Sequence, residues 1–282
     1  MVTRRALLRA GIAGVGLAAA RGPARGAEPA RSAPRAEAIP RVDLHVHLDN
    51  STIDLVADLS RRLGVRFGVV EHAGTRENKY PVILSNDDEL RRWLESLEGK
   101  GVYRGVQAEW TDWPGCFSRA MLARLDYVLT DAMTFPGKDG RRVKLWEKDV
   151  GDRVDLADPE KFMDRFVDWH IEIVERQPIH ILANTSWLPA PLAAQYDVLW
   201  TPARVRRVAQ AAAKHGVALE ISSGYRLPKP PFLRIAREAG VKFSFGSNGR
   251  YPNMGKIDYC LAMAKELGLS AADIFTPVTK AK

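Results

Sequence analysis

Cysteine is scarce in this chain of 282 residues: only Cys116 and Cys260 occur, too few for a disulfide scaffold. The two thiols have the option of pairing in an oxidising compartment, but nothing in the sequence requires it. Long apolar runs are also missing. The most apolar stretch, Ala10 to Ala20, is too short to span a bilayer permanently as a helix. No G-x-G-x-x-G follows the first strand-like run, which excludes the usual dinucleotide-binding form of an α/β protein. Acids are absent before Glu28. What remains is ordinary globular material, 46% hydrophobic and 27% charged, enough for one large core.

The first residues differ from the rest. "TRRALLRAG" (Thr3 to Gly11) sets twin arginines before the Gly/Ala-rich stretch, and "RGPARGA" follows with small residues suited to cleavage near Ala27. This resembles a bacterial twin-arginine export signal, and residues 1–27 are set aside from fold reasoning. The resemblance implies a protein exported to the periplasm or beyond, with no stable membrane insertion once the signal is cleaved. A basic arm that binds nucleic acid is the competing reading; the apolar centre of the segment disfavours it. Five arginines and no acids lie within 1–27, so the formal charge of +8 becomes +3 without them. A domain at +3 gives no reason to expect nucleic acid as partner. Residues 28–40, "EPARSAPRAEAIP", read as a linker, and 41–282 as the folded domain.

From Arg41 onward, short apolar runs alternate with amphipathic segments. The runs are 41–48, 65–72, 103–110, 127–135, 179–186, 217–223 and 241–248; the helical patterns are 51–63, 86–98, 115–124, 158–176, 202–215, 230–239 and 255–268. Glycine stops close several of these, as at Gly64 and Gly216. Seven strand–helix units in one domain predict an α/β fold, a (β/α)7 barrel closed on itself, with a doubly wound open sheet as its rival. In a barrel the chemistry belongs at the C-terminal ends of the strands. The runs do end in polar groups: His45 and His47, Glu71 and His72, Gln107 and Glu109, Asp131, Asn184, Glu220 and Ser222, Ser247 and Asn248. The i, i+2 spacing of His45 and His47 puts both imidazoles on one side of the sheet. Imidazole with carboxylate suits Zn, Mn or Fe. A pair of core histidines bonded to backbone is the plainer reading. His170 and His215 read as surface or capping residues, and His180 as a core histidine.

In order, "DLHVHL", "GVVEHAG", "GVQAEW", "LDYVLTDAM", "ILANTS", "LEIS" and "FGSNGR" resemble the strand-end motifs of the polymerase-and-histidinol-phosphatase superfamily, over about residues 41 to 270. The resemblance implies a distorted (β/α)7 TIM-like barrel, up to three metal ions bound at the strand ends and hydrolysis of phosphate esters. His45, His47, His72 and Glu109 match ligand positions. Met133 and Asn184 stand where the family has histidine, and Ser247-Asn248-Gly249-Arg250 replaces Ser-Asp-x-His. The first metal position would keep His45, His47 and Glu109, with Asn248 for an aspartate. The second would have Glu109, Asn184 and Asp131; the third only His72, faced by Arg250. Two like charges about 5 Å apart repel by roughly 3 kcal/mol at an effective dielectric near 20. One divalent ion is therefore expected rather than three.

The resulting expectation is a metal-dependent phosphoesterase acting on a small anionic substrate. A metal-bound water would attack, Asp131 or His72 would serve as acid or base, and Arg250 would hold the anion, with Arg226 a second clamp. Two alternatives stand beside it: a barrel that has lost catalysis and binds a ligand, and an amidohydrolase-like enzyme cleaving amides or lactones. Trp110, Trp113, Trp187 and Trp200 follow strand ends and are either aromatic walls or lid packing.

Overall fold

The computed structural model describes residues 38–49 and 51–280, all within one unit, Glu37–Lys282. The export signal expected over 1–27 and the linker up to residue 37 lie outside the described residues. Seven parallel strands build the centre: β1 Val42–His47, β2 Arg66–Val70, β3 Tyr103–Ala108, β4 Tyr127–Asp131, β5 Ile181–Ala183, β6 Ala218–Ser222 and β7 Phe243–Gly246. They hydrogen-bond in chain order, β2 being prolonged by His72–Ala73, which pairs with β3. Each expected run thus contains a strand. Their residues are buried almost throughout, as strands covered on both faces must be.

The ring is nearly closed. β7 does not ladder with β1; instead the chain just after it does, Gly249 N donating to His45 O and His47 N donating to Gly249 O, each at 3.1 Å. The rival open sheet is excluded, and the barrel is distorted at this seam. The principal outer helices are α1 Ile53–Leu63, α2 Asp87–Ser96, α3 Pro159–Arg176, α4 Pro202–His215, α5 Pro230–Glu238 and α6 Asp258–Glu266. Thr52 caps the start of α1 and Gly64, at φ 59°, ends it; Thr201 and Gly216 do the same for α4. The pattern over 115–124 yields only one helical turn, Arg119–Leu122. The run 127–135 ends early at Asp131, and an unexpected antiparallel hairpin, Thr134–Pro136 with Arg142–Lys144, rises over the barrel mouth. No helix among the described residues is long and apolar enough to cross a membrane. Cys116 and Cys260 are both free thiols.

Tyr127 plugs the barrel floor. It is fully buried, and its hydroxyl donates to Leu44 O at 2.8 Å. The ring fits because Gly68 and Gly105 present no side chain: a Cβ on either would stand 2.5 Å from Tyr127. Gly105→Ala is expected to cost about 1–3 kcal/mol through this overpacking. Urea unfolding measures it, and a loss below about 0.5 kcal/mol would refute the packing argument.

Candidate active site

The strand ends open into a cavity of about 650 Å3. Of the residues singled out from sequence, His45, His47, His72, Asp131, Asn184, Asn248 and Arg250 all line it. Glu109 joins them through a 2.7 Å contact with His72 Nδ1. Six separated stretches of chain therefore converge, as a barrel requires. Three residues that line the cavity, Asp49, Asn184 and Asn248, have positive φ, a cost that proteins tolerate mainly at functional sites.

Inside the cavity the ionisable groups are tied chiefly to one another. His45 is fully buried, with Nδ1 2.8 Å from Glu220 Oε1 and Nε2 3.1 Å from Gln107 Oε1. Burial disfavours a charged ring, but the Glu220 carboxylate outweighs it and raises the His45 pKa. Gln107 Nε2 donates to Glu109 Oε1 at 3.2 Å, and Tyr80 donates to Glu109 Oε2 at 3.2 Å. A continuous chain thus runs Glu220, His45, Gln107, Glu109, His72. Tyr80 lies flat on His72, ring centres 3.7 Å apart.

His47 is the exception. It is buried, and neither ring nitrogen has a partner among the described residues. Burial first, then the neighbouring charges of His45, His72 and Arg250, hold its pKa well below the usual range, so the ring is neutral. Asn184 Oδ1 is also unpartnered, while its amide donates to Asp131 Oδ2 at 3.1 Å. Burial and then the charge of Glu109 push Asp131 up to about 6. Arg250 Nε donates to Asp49 at 2.8 Å, and Nη1 donates to Asn248 O and Oδ1 at 2.7 and 2.6 Å. Its Nη2 carries no hydrogen bond among the described residues.

No protein-family model matches the chain, and no curated protein is recognisably related to it. Among solved structures it is similar to histidinol phosphate phosphatase from Lactococcus lactis, solved with zinc, L-histidinol and phosphate, at a TM-score of 0.55 and 12% identity. That match covers 82% of this chain and 95% of the other. The likeness is one of fold. It agrees, at low identity, with the TIM-like barrel expected from the sequence. A β-mannanase from Streptomyces thermolilacinus follows at a TM-score of 0.42 and 13% identity, covering 82% and 76% of the two chains, too distant to inform the site.

Several sequence expectations are revised by the geometry. Among the described residues no three His, Cys, Asp or Glu side chains gather as a metal site. The proposed ligands are engaged elsewhere: His45 with Glu220 and Gln107, Glu109 with His72, Gln107 and Tyr80, and the Asn248 oxygen with Arg250. Arg226 does not reach the cavity but sits over the Tyr259 ring. His170 is not on the surface; it is buried and bonded to Phe166 O and Thr185 O, each at 2.7 Å. His180 is exposed, outside the core, and accepts from Val128 N. Trp113 and Trp200 are buried packing residues, while Trp110 and Trp187 are half-buried. The tryptophan that does line the cavity is Trp146, which no strand-end pattern could mark because it follows the unexpected hairpin. Tyr80 and Tyr225 were missed for the same reason, lying in loops beyond the strand ends.

Proposed function

We propose that this barrel is a hydrolase of a small anionic ester, a phosphate monoester, working at the strand-end cavity. The observation that carries the reading is a neutral imidazole, His47, with neither nitrogen hydrogen-bonded, sharing one cavity with a carboxyl near pKa 6 and a guanidinium. The related fold is that of a phosphatase, which supports the same class of substrate.

The donors as arranged do not fit a metal ion. Catalytic zinc sites use about three protein ligands, and among the described residues no three His, Cys, Asp or Glu side chains gather to hold one ion. The chemistry is therefore assigned to side chains. The free edge of Arg250 holds the anionic head, its fork matching phosphate oxygens. His47 accepts a proton from water as that oxygen attacks phosphorus, and Asp131 in its acid form gives a proton to the departing alcohol oxygen. Solvent then removes the proton from His47 and restores the one on Asp131. An anion beside His47 raises its basicity when substrate is bound. The twin arginines at 4 and 5 support export of the folded protein.

Three measurements test this together. Protein purified without added metal is expected to carry less than about a tenth of an equivalent of transition metal. Turnover of a phosphomonoester panel should survive EDTA and fall about 100-fold or more in His47→Gln. A silent panel would refute the enzyme and favour the ligand-binding alternative; activity that requires added Mn or Zn would return the site to a metal mechanism.

A further inference from the structure

A second cavity, of about 630 Å3, is lined by the hairpin that follows β4, by the turn at residues 77–79 and by Trp110. None of its lining residues lines the strand-end cavity. Five cationic side chains line it, Lys79, Arg141, Arg142, Lys144 and Arg153, against two acidic ones. A cleft lined chiefly by one sign of charge focuses the field and draws counter-ions.

The five cations are not equally committed. Arg142 donates from Nη2 to Glu77 at 3.0 Å and to Asp112 at 2.9 Å, and from Nη1 to Asn78 Oδ1 at 2.8 Å. Arg153 is paired with Glu147 at 2.7 Å. Arg141 has only Asp139, 3.6 Å away and exposed, a contact worth little. Lys79 and Lys144 have no carboxylate partner among the described residues; Lys144 Nζ instead lies over the Tyr80 ring, 3.8 Å from its centre. Burial holds the Lys144 pKa below its usual value; Glu109 and Glu147 oppose this, and the charge of Lys79 adds to it. Two ammoniums thus share one cavity and repel. Thr134 stands directly opposite Lys144 in the antiparallel pair, which puts both side chains on one face of the hairpin. It is buried, at 5% exposure, and its Oγ1 has no hydrogen-bond partner among the described residues. A buried hydroxyl left so is costly unless a ligand meets it.

We propose that this second cavity binds a small dicarboxylate, one carboxylate at Lys79 and the other at Lys144, with the Thr134 hydroxyl donating to the bound anion. Separate ammoniums act as point charges and suit two separate acidic groups, whereas a single compact phosphate is better matched by a guanidinium fork. The volume lies within the range of small-molecule sites. The proposal stands apart from the anionic-ester reading, which concerns Arg250 and the strand-end cavity.

Succinate, propionate and inorganic phosphate are titrated by calorimetry into the full chain and into Arg250→Ala, where anion binding at the strand ends is weakened. Succinate is expected to bind Arg250→Ala at least about tenfold tighter than propionate or phosphate, and within about twofold of its affinity for the wild type. In Lys79→Gln and in Lys144→Gln that affinity should fall at least about tenfold. A thermal melt of each variant reports folding; should Lys144→Gln fail to fold, Lys79→Gln, at an exposed turn, decides the matter. A succinate Kd above about 10 mM, a preference for phosphate in Arg250→Ala, or an affinity retained by a folded lysine variant overturns the proposal. Loss of succinate binding in Arg250→Ala would place the anion at the strand ends and overturn it equally.

Discussion

Asp131→Asn is expected to lower kcat by about 10²- to 10⁴-fold, the range typical of losing a positioned general acid. Asp131 ends β4 with Oδ1 accepting from Met133 N at 3.0 Å and Oδ2 accepting from Asn184 Nδ2 at 3.1 Å. An asparagine keeps this geometry: its oxygen still accepts from Met133, and a flip of Asn184 turns that residue's unpartnered oxygen toward the new amide. The change is therefore confined to the proton. With the carboxyl at about 6, the acid form is a minority at pH 7, so wild-type kcat/KM should fall about tenfold per pH unit above 6. The variant should lack this limb. A loss under about fivefold in kcat, or an unchanged limb, would remove Asp131 from the proposed mechanism.

The same shift has a consequence for stability, with a definite sign. The folded pKa lies above the ordinary 3.8, so the proton binds the folded state more tightly. That contribution is complete below pH 3.8 and is lost as pH rises through about 6. At pH 7 the ionised carboxylate is a burden on the order of 3 kcal/mol, which asparagine relieves. Asp131→Asn should thus melt higher than the wild type at pH 7 while being far less active, the combination expected where a buried acid is retained for function rather than for stability.

The barrel was legible because buried parallel strands write themselves as continuous apolar runs. Their C-terminal residues, from His45 to Asn248, are polar for a reason no core would supply. What the site residues bond to was not legible. His45 meets Glu220 from 175 positions away and Gln107 from 62, so no local pattern announces that its nitrogens are taken. His170 was misread by periodicity for a related reason. A histidine in an amphipathic helix looks like a surface residue until two carbonyls, Phe166 O and Thr185 O, are found facing it. The hairpin after β4 was hidden because Pro136 and the turn residues Gly137 to Arg141 interrupt any alternation. With it went Lys144 and Trp146, the two residues that shape the mouth.

Asp43→Ala should cost about 3–5 kcal/mol, the largest stability loss expected from one change at the barrel seam. Asp43 lies inside β1 with no exposed surface. Its Oδ1 accepts from Ser247 N at 2.8 Å and His45 N at 3.3 Å; its Oδ2 accepts from Ser247 Oγ at 2.5 Å and Gly255 N at 2.8 Å. The chain from β7 into α6 hangs on this one carboxyl, where β7 and β1 form no ladder. Alanine strands the donors of Ser247 and Gly255 without solvent, each at about 1–3 kcal/mol before relaxation. Burial nonetheless keeps the carboxyl pKa above its usual value, so the donors offset its desolvation only in part. The loss should therefore fall nearer 3 than 5 kcal/mol at pH 7, read from urea unfolding. Because the same segment carries Asn248 and Arg250, KM for an anionic ester should rise in this variant while the pH limb assigned to Asp131 stays at about 6. A shifted limb would mean that the seam and the acid are one unit; a stability loss under about 1 kcal/mol would mean that Gly249's two backbone bonds to β1 close the barrel unaided.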